Sequence, residues 1–365
     1  MQNIANDNSE AASLHTLAYT PYTIHHTPYT TKMKLLIIGR YKPQFPKNLL
    51  PFALEQGESL RQLGHTVEYF AVKGNYLFAV RELKQKIRAF QPDIIHAHYG
   101  LSAITAELQS MVPVVTTFHN GETLNKGVNL LTSLFSLRAK HVVYVAQHIY
   151  NLVYFKHKKY SIIPCGVNMD DCVVMNQSEA RKQLGMEDGM KYILFGGGFD
   201  NLRKNYDLLR DAVERIEQQA WTCVEGGERC GNIVCLEMKG LSRAECVLRM
   251  NACDLFALPS HSEGSPQALK EAMACNCPIV ATDMADVKHL LGDLSGHYLL
   301  RNPRPTHERW DADERSLDEM VELLKQALAF GGRTNGRERI MEMGLSNEQV
   351  AKRLEGIYEN VLAGV

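Results

Sequence analysis

From Met33 onward the apolar positions fall into short unbroken runs, each followed by a stretch with apolar residues at helical spacing. Runs of this kind suit parallel strands buried on both faces, where no polar alternation is needed. Strands are predicted at Lys34–Gly39, Val67–Val72, Asp93–His98, Pro113–His119, His141–Val145 and Ser161–Pro164. Helices are predicted between them, including Leu49–Leu63 and Leu77–Phe90. A second series runs through Tyr192–Gly196, Ile233–Glu237, Asp254–Pro259, Pro278–Thr282 and His297–Leu300. Strands alternating with helices predict an α/β fold with parallel sheets, and two series predict two Rossmann-like domains. The expected division is an extension over 1–32, one domain over 33–170, a second over 171–345, and a helix over 346–365 that crosses back to the first domain. Its apolar residues Val350, Leu354, Ile357, Tyr358 and Val361 share one face. Residues 1–32 are polar and without period, which predicts disorder or loose attachment. The segment Arg301–Arg315 is charged and contains proline, which predicts a surface loop.

The strongest chemical signal lies in Ser260–Asp283, where Glu263 and Glu271 stand eight positions apart between two of these apolar runs. Ser265 is the expected N-cap and Pro266 the expected first residue of a helix carrying Ala268 to Cys275. One carboxylate then lies at the carboxyl end of a strand and the other in the second turn of the helix. In an open parallel sheet that edge binds ligands, and a helix N-terminus there offers free N–H groups to an anion. Two carboxylates beside an anion site suit a ligand with phosphate and hydroxyls, such as a nucleotide sugar.

A second motif, Gly196-Gly197-Gly198-Phe199-Asp200-Asn201-Leu202-Arg203-Lys204-Asn205, follows the first strand of the second series. Its glycines permit close backbone approach to a phosphate, and Lys204 can offset diphosphate charge without a metal. In the first series, Thr117-Phe118-His119-Asn120-Gly121 and Asp93-Ile94-Ile95-His96-Ala97-His98-Tyr99-Gly100 both end strands at the same edge. Alternation puts His96 and His98 on one face.

Bulk composition narrows the function classes. The net charge of −1 offers nothing to nucleic acid, and the apolar content of 45% supplies real cores. No run approaches the length of a membrane span; Val142 to Phe155 is interrupted by Gln147, His148 and Asn151. The chain start lacks the apolar core of a signal peptide, and nine cysteines fit a reducing compartment. A cytoplasmic location is therefore expected, with peripheral contact at the inner face of the membrane as an extension of it. Asp311-Ala312-Asp313 resembles a metal motif but stands in a charged segment rather than after an apolar strand, and the cysteines lack zinc spacing. The basic and aromatic run Phe155-Lys156-His157-Lys158-Lys159-Tyr160 reads either as a solvated helix end or as a contact for anionic lipid headgroups.

Glu263-Gly264-Ser265-Pro266 with Lys270-Glu271-Ala272-Met273-Ala274 resembles the signature of family 4 of the retaining glycosyltransferases, which have the GT-B architecture. The resemblance runs from about Met33 to the end and is strongest over Asn251–Asp283. It implies two Rossmann-like domains facing a central cleft. It also implies retaining, metal-independent transfer of a hexosyl unit, with a UDP-sugar favoured as donor, to a sugar or lipid-linked glycan acceptor. Cell-surface polysaccharide or glycolipid synthesis is the expected setting, with no cofactor. By the same resemblance His119, Glu263 and Lys204 are the catalytic candidates. Gly197, Gly198, Arg203, Lys204, Glu263, Gly264, Ser265, Pro266 and Glu271 are the donor-binding candidates, and His98 is an acceptor contact. Glu263 would hold donor-sugar hydroxyls, Glu271 the ribose diol and Lys204 the diphosphate. Two departures stand out. Gly198 occupies the place of the usual arginine, and the loop after the first strand, Gly39 to Pro46, has one glycine instead of a pair. Arg40 or Lys42 of that loop are further phosphate candidates. The alternatives are a non-catalytic sugar-nucleotide-binding partner of another transferase, a nucleotide-sugar epimerase and a phosphorylase on the same architecture.

Overall fold

A computed structural model of the chain describes residues 32–218, 221–301 and 314–365. The expected extension, except Lys32, and the Asp311–Asp313 motif lie outside the described residues, as does most of the expected 301–315 surface loop.

The first sheet contains β1 (Lys34–Arg40), β2 (Thr66–Val72), β3 (Ile94–His98), β4 (Val114–Phe118), β5 (His141–Tyr144) and β6 (Tyr160–Ile162). Their spatial order is β2-β1-β3-β4-β5-β6, all parallel. The crossovers are α1 (Pro51–Gln62), α2 (Tyr76–Phe90), α3 (Gly100–Glu107), α4 (Lys126–Ser136) and α5 (Gln147–Leu152). Every residue of β3 and β4 is buried, as helices on both faces of a parallel sheet require.

After α6 (Gln177–Gln183) the second sheet starts at β7 (Lys191–Phe195) and continues through α7 (Tyr206–Glu217), β8 (Trp221–Val224), β9 (Gly227–Cys230) and β10 (Ile233–Glu237). It is completed by α8 (Arg243–Ala252), β11 (Leu255–Leu258), α9 (Gln267–Ala274), β12 (Ile279–Thr282), α10 (Val287–Leu291) and β13 (His297–Leu300). The order is β13-β12-β11-β7-β10-β9-β8. The hairpin β8–β9 lies antiparallel at the edge and was not expected. Its Glu225-Gly226 turn, with Gly226 at φ +74°, is a two-residue hairpin connection set in polar, largely exposed sequence. No apolar run announces such strands, because little of them is buried.

The chain closes with α11 (Glu314–Phe330), α12 (Gly336–Glu342) and α13 (Asn347–Ala363). A capping box of Ser346 and Gln349 starts α13. Val350, Leu354, Ile357 and Tyr358 of this helix share a core with Leu35 and Ile37 of β1 and Val115 of β4, so α13 belongs to the first sheet's core. The two crossing segments are bonded to each other: Val167 N donates to Leu345 O (2.9 Å) and Asn347 N to Val167 O (2.8 Å).

Both sheets reverse their strand order next to their first strand, at β1/β3 and at β7/β11. A crevice opens at the carboxyl ends of strands at such a reversal. The end of β3, with His96 and His98, and the triple glycine after β7 stand at these two places, and His119 follows the neighbouring β4.

Candidate active site

On the second sheet's side, Gly196 to Gly198 continue β7 past its end. A Cβ on Gly197 would lie 2.9 Å from Lys204 Cγ, so the glycine leaves room for the lysine stem to pass. Lys204 Nζ then donates to Glu263 Oε1 at 2.6 Å, and both side chains are largely buried. Arg203 lies beside the pair, 3.7 Å from Glu263 Oε2, and donates to Ser262 O at 3.1 Å. The aliphatic part of Lys239 fills the space next to Gly198, where a Cβ would come 3.0 Å from Lys239 Cδ. Its Nζ bonds Asp200 Oδ2 at 2.6 Å. The Lys239–Asp200 ion pair therefore stands at the position where the usual arginine is missing, with the Asp200 carboxylate 2.8 Å from a Cβ at Gly198.

The helix of the glutamate motif starts one residue later than expected. Pro266 is its N-cap, with ψ 111°, and Gln267 its first residue. Ser265 does not cap it, because its hydroxyl donates to Asp286 Oδ2 at 2.7 Å. Burial raises the Asp286 carboxyl to about 6, against the lowering effects of Lys270 and of this hydrogen bond. Lys270 is fully buried; burial lowers its pKa, and its Nζ donates to Cys165 O. Gln267 Nε2 donates to Gly166 O at 2.7 Å. Helix α9 thus grips the segment that crosses between the two sheets.

Glu271 is buried and bonded to Arg243 Nη1 at 2.7 Å. Burial raises its carboxyl to about 6, while Arg243 pulls it down. Arg243 also bonds Glu55 of α1, which joins the first sheet's side to the second. Arg243 is the first residue of α8, where the helix dipole disfavours a cation. Two carboxylates outweigh that penalty and hold it there.

The first sheet's side has a different character. His119 and His98 are buried and meet at 3.2 Å, Nε2 to Nδ1. His96 and His98 stack in parallel at 4.7 Å, as alternation along β3 predicts. His96 is bonded to Tyr358 Oη and Thr117 Oγ1, both at 2.6 Å. Burial lowers all three imidazoles, His98 to about 3 and His96 and His119 well below the usual range, with neighbouring histidines adding to the effect on His96 and His119. Phe52 and Tyr99 cover His119 at ring distances of 4.5 and 4.8 Å. His98, expected as an acceptor contact, lies behind His119 rather than at an open surface, 1% exposed with Nε2 unpartnered.

The two sides touch at the motif loops. Asn120 Nδ2 donates to Ser262 Oγ at 3.1 Å, and a Cβ on Gly264 would lie 3.1 Å from Asn120 Cβ. The structure therefore brings the His119 loop against the Glu263 loop, with Lys204 and Arg203 adjoining. Glu271 stands on the neighbouring helix with its own ion pair.

Several residues of the site were not expected. Arg243 and Glu55 belong to helices with no local motif. Tyr99 adopts φ +69° at the end of β3, costly for a bulky residue and a marker of functional strand ends. Glu122 accepts from Gly100 N (2.9 Å) and His119 N (3.2 Å), and burial raises it to about 7. His148 of α5 lies beside the Glu263 backbone. A glutamate three residues past His119 was the one available signal for Glu122. Arg40 ends β1 and is exposed, with its charge near Tyr99.

Residues 52–171 match the family model for Glycosyltransferase Family 4, and residues 190–312 match that for Glycosyl transferases group 1. A Bacillus subtilis protein named putative teichuronic acid biosynthesis glycosyltransferase TuaC is 26% identical over 257 residues, which is 65% of this chain and 64% of that one. A D-inositol 3-phosphate glycosyltransferase of Segniliparus rotundus is 25% identical over 315 residues, covering 76% of this chain and 68% of its own length. The chain thus spans just under two thirds of the first relative. Among solved structures, sucrose-phosphate synthase of Thermosynechococcus elongatus superposes with TM-score 0.73 at 15% identity, covering 92% of this chain and 100% of that one. Anabaena HepE, solved in complex with UDP-glucose, superposes with TM-score 0.63 at 15% identity over 91% of this chain and 100% of its own. These superpositions show the GT-B fold.

Proposed function

This chain belongs to family 4 of the glycosyltransferases, the glycosyl transferases group 1, and on that premise we propose that it transfers a hexosyl unit from a nucleotide sugar to an acceptor hydroxyl. Transfer proceeds with retention and without a metal, and a UDP-sugar is the favoured donor. The acceptor is a sugar or lipid-linked glycan of cell-surface polysaccharide or glycolipid synthesis. The observation that carries this proposal is the Lys204–Glu263 pair at the reversal point of the second sheet, against the His119 loop of the first.

Lys204 and Glu263 are placed side by side as a diphosphate and its attached sugar are. Donor binding exchanges the internal ion pair for two new partners: Lys204 takes the diphosphate and Glu263 the sugar hydroxyls. Arg203 adds a second cation beside the Lys204–Glu263 pair, which supports catalysis over a merely binding protein despite Gly198 in place of the usual arginine. Glu271 accepts from the ribose diol. In the reaction the bond between the anomeric carbon and the diphosphate oxygen breaks. The acceptor oxygen bonds the same carbon from the same face, and its proton passes to the departing phosphate. Lys204 stabilises charge as it grows on the leaving group. His119, held neutral, bonds a sugar hydroxyl without adding a charge. His98 acts through His119 as a positioning residue.

Nucleoside diphosphate release from a panel of UDP-, GDP- and ADP-sugars with candidate acceptors tests the proposal. Wild type should exceed Glu263→Gln and Lys204→Ala with at least one pair. If it releases no more than the variants with every pair, the catalytic reading is wrong. A thermal-shift panel with the same donors selects the base, because a specific ligand raises the melting temperature with the logarithm of its concentration.

A further inference from the structure

Helix α4 is built inside out. Its buried positions are Asn129, Thr132, Ser133 and Ser136, while Leu130, Leu131 and Leu134 are exposed. Leu124 before the helix and Leu137 at its end extend the apolar stripe, and these five leucines are 44–63% exposed. The small inward residues let α4 lie close to α3, where Gly100 abuts Thr132. Most of their polar atoms are bonded: Thr132 Oγ1 donates to Val128 O and Ser136 Oγ to Ser133 O within the helix, and Asn129 Nδ2 to Leu152 O at 2.8 Å, while Asn129 Oδ1 is buried without a partner. Asn125 caps the helix by accepting from Val128 N, so the exposed stripe needs no partner to form.

The bond from Asn129 to Leu152 also sets α4 beside a second exposed apolar segment, Leu152, Tyr154 and Phe155. Charge along this segment is one-sided. From Thr123 to Met169 the chain contains no aspartate or glutamate but carries Lys126, Arg138, Lys140, Lys156, Lys158 and Lys159, in a protein of net charge −1. All six basic residues are exposed. A helix with a leucine face and basic flanks is the pattern that settles at the headgroup boundary of a bilayer, and lysines near an anionic leaflet strengthen it.

We propose that this face of the first domain docks on an anionic bilayer surface through Leu130, Leu131 and Leu134, with Lys156, Lys158 and Lys159 on the headgroups. The docking rests on the surface alone and stands whatever chemistry the cleft performs. Where the transferase reading also holds, Leu124 follows His119 by five residues, so docking turns the acceptor side of the cleft to a lipid-borne acceptor.

The test is flotation of the full chain with vesicles of equal phosphatidylglycerol and phosphatidylcholine, against phosphatidylcholine alone. Wild type should float with the anionic vesicles, less so at high salt. The variant Leu130→Ser/Leu131→Ser/Leu134→Ser should lose about a hundredfold or more in partition, since each leucine forgoes burial. Lys156→Gln/Lys158→Gln/Lys159→Gln should lose at least about tenfold. The rise of the melting temperature with UDP should be unchanged in both variants, and the lysine variant should keep the wild-type melting temperature. A missing UDP shift in all proteins would count against the donor proposal and leave docking standing. Docking is overturned if wild type stays with the soluble fraction, or if the serine variant floats as well as wild type. It is equally overturned if the leucines instead hold a dimer that the serine variant dissolves while vesicles are ignored.

Discussion

The two walls of the cleft are built from opposite chemistry. The second sheet's wall consists of ions already paired: Lys204 with Glu263, Arg243 with Glu271. The first sheet's wall consists of groups that burial keeps neutral, His96, His98 and His119, covered by Phe52 and Tyr99. A wall of paired ions can bind a charged, hydroxyl-rich ligand by exchanging partners, with little new desolvation. A neutral wall can orient a sugar by hydrogen bonds while leaving developing charge to the other side. On the proposed function, this difference gives electrostatic work to one domain and positioning to the other, and closure of the cleft brings the two together.

Breaking the ionic wall should have the largest effect. Lys204→Ala removes the donor proposed to face the leaving diphosphate and should reduce kcat by roughly a hundred- to a thousandfold, the loss usual for one preorganised donor. Single-turnover measurement with saturating donor reads it. An intact kcat with raised KM would mean that Lys204 only binds, and the division of labour between the walls would fail.

The neutral wall predicts a smaller loss and a flat pH profile. His119→Ala should lower kcat by about a hundredfold at most, within the range of positioned proton donors. Because burial holds His119 well below its usual range, wild-type kcat should show no limb near pH 6.5. Such a limb, abolished in His119→Ala, would show a charged imidazole and break the comparison.

Glu271 sharpens the contrast through pH. Its carboxyl titrates at about 6, so donor affinity should fall as pH drops through that value and the second acceptor oxygen becomes protonated. Arg243 pulls this pKa down. Arg243→Ala should therefore shift the fall to higher pH, into the neutral range, with an effect at pH 7 of a few-fold to tenfold in donor Kd. Calorimetric titration with nucleoside diphosphate at pH 5.5, 7 and 8.5 measures it.

How far the sequence foretold these walls depends on whether a residue's role is local. Glu263 and Glu271 are separated by one loop and one helix turn, so spacing and flanking apolar runs located both. Gly197 and Lys204 were legible for the same reason. Arg243 and Glu55 lie on different domains and meet only after both sheets are assembled; no spacing encodes that. Tyr99 matters through a strained backbone, which has no residue pattern, and Glu122 through bonds to backbone N–H groups, for which its place three residues past His119 was the one signal. The buried strands were readable because they are apolar throughout, whereas the exposed hairpin β8–β9 was not. The leucines of α4 hid in the same way: helical spacing shows that one face is apolar, and packing decides which face turns inward.

Ser265 offers the smallest and finest test, because its two possible partners make different predictions. As an N-cap it would be lost with a helix-stability penalty independent of Asp286. In the structure its hydroxyl bonds Asp286, which helps keep that buried carboxyl from rising further. Ser265→Ala should cost about 1 kcal/mol in unfolding free energy, the usual net value of one hydrogen bond. It should also raise the Asp286 pKa above about 6. A carboxyl raised above its unfolded value favours folding at low pH and loses that contribution as pH rises through its folded pKa. The penalty of Ser265→Ala should therefore be larger at pH 7.5, where Asp286 is ionised and needs the donor, than at pH 5. Combined with Asp286→Asn, the two losses should fall short of additivity, since neighbours sharing one bond couple. Full additivity and a pH-independent penalty would return Ser265 to the role of a cap and leave Asp286 as an ionic group of the second wall without a fixed donor.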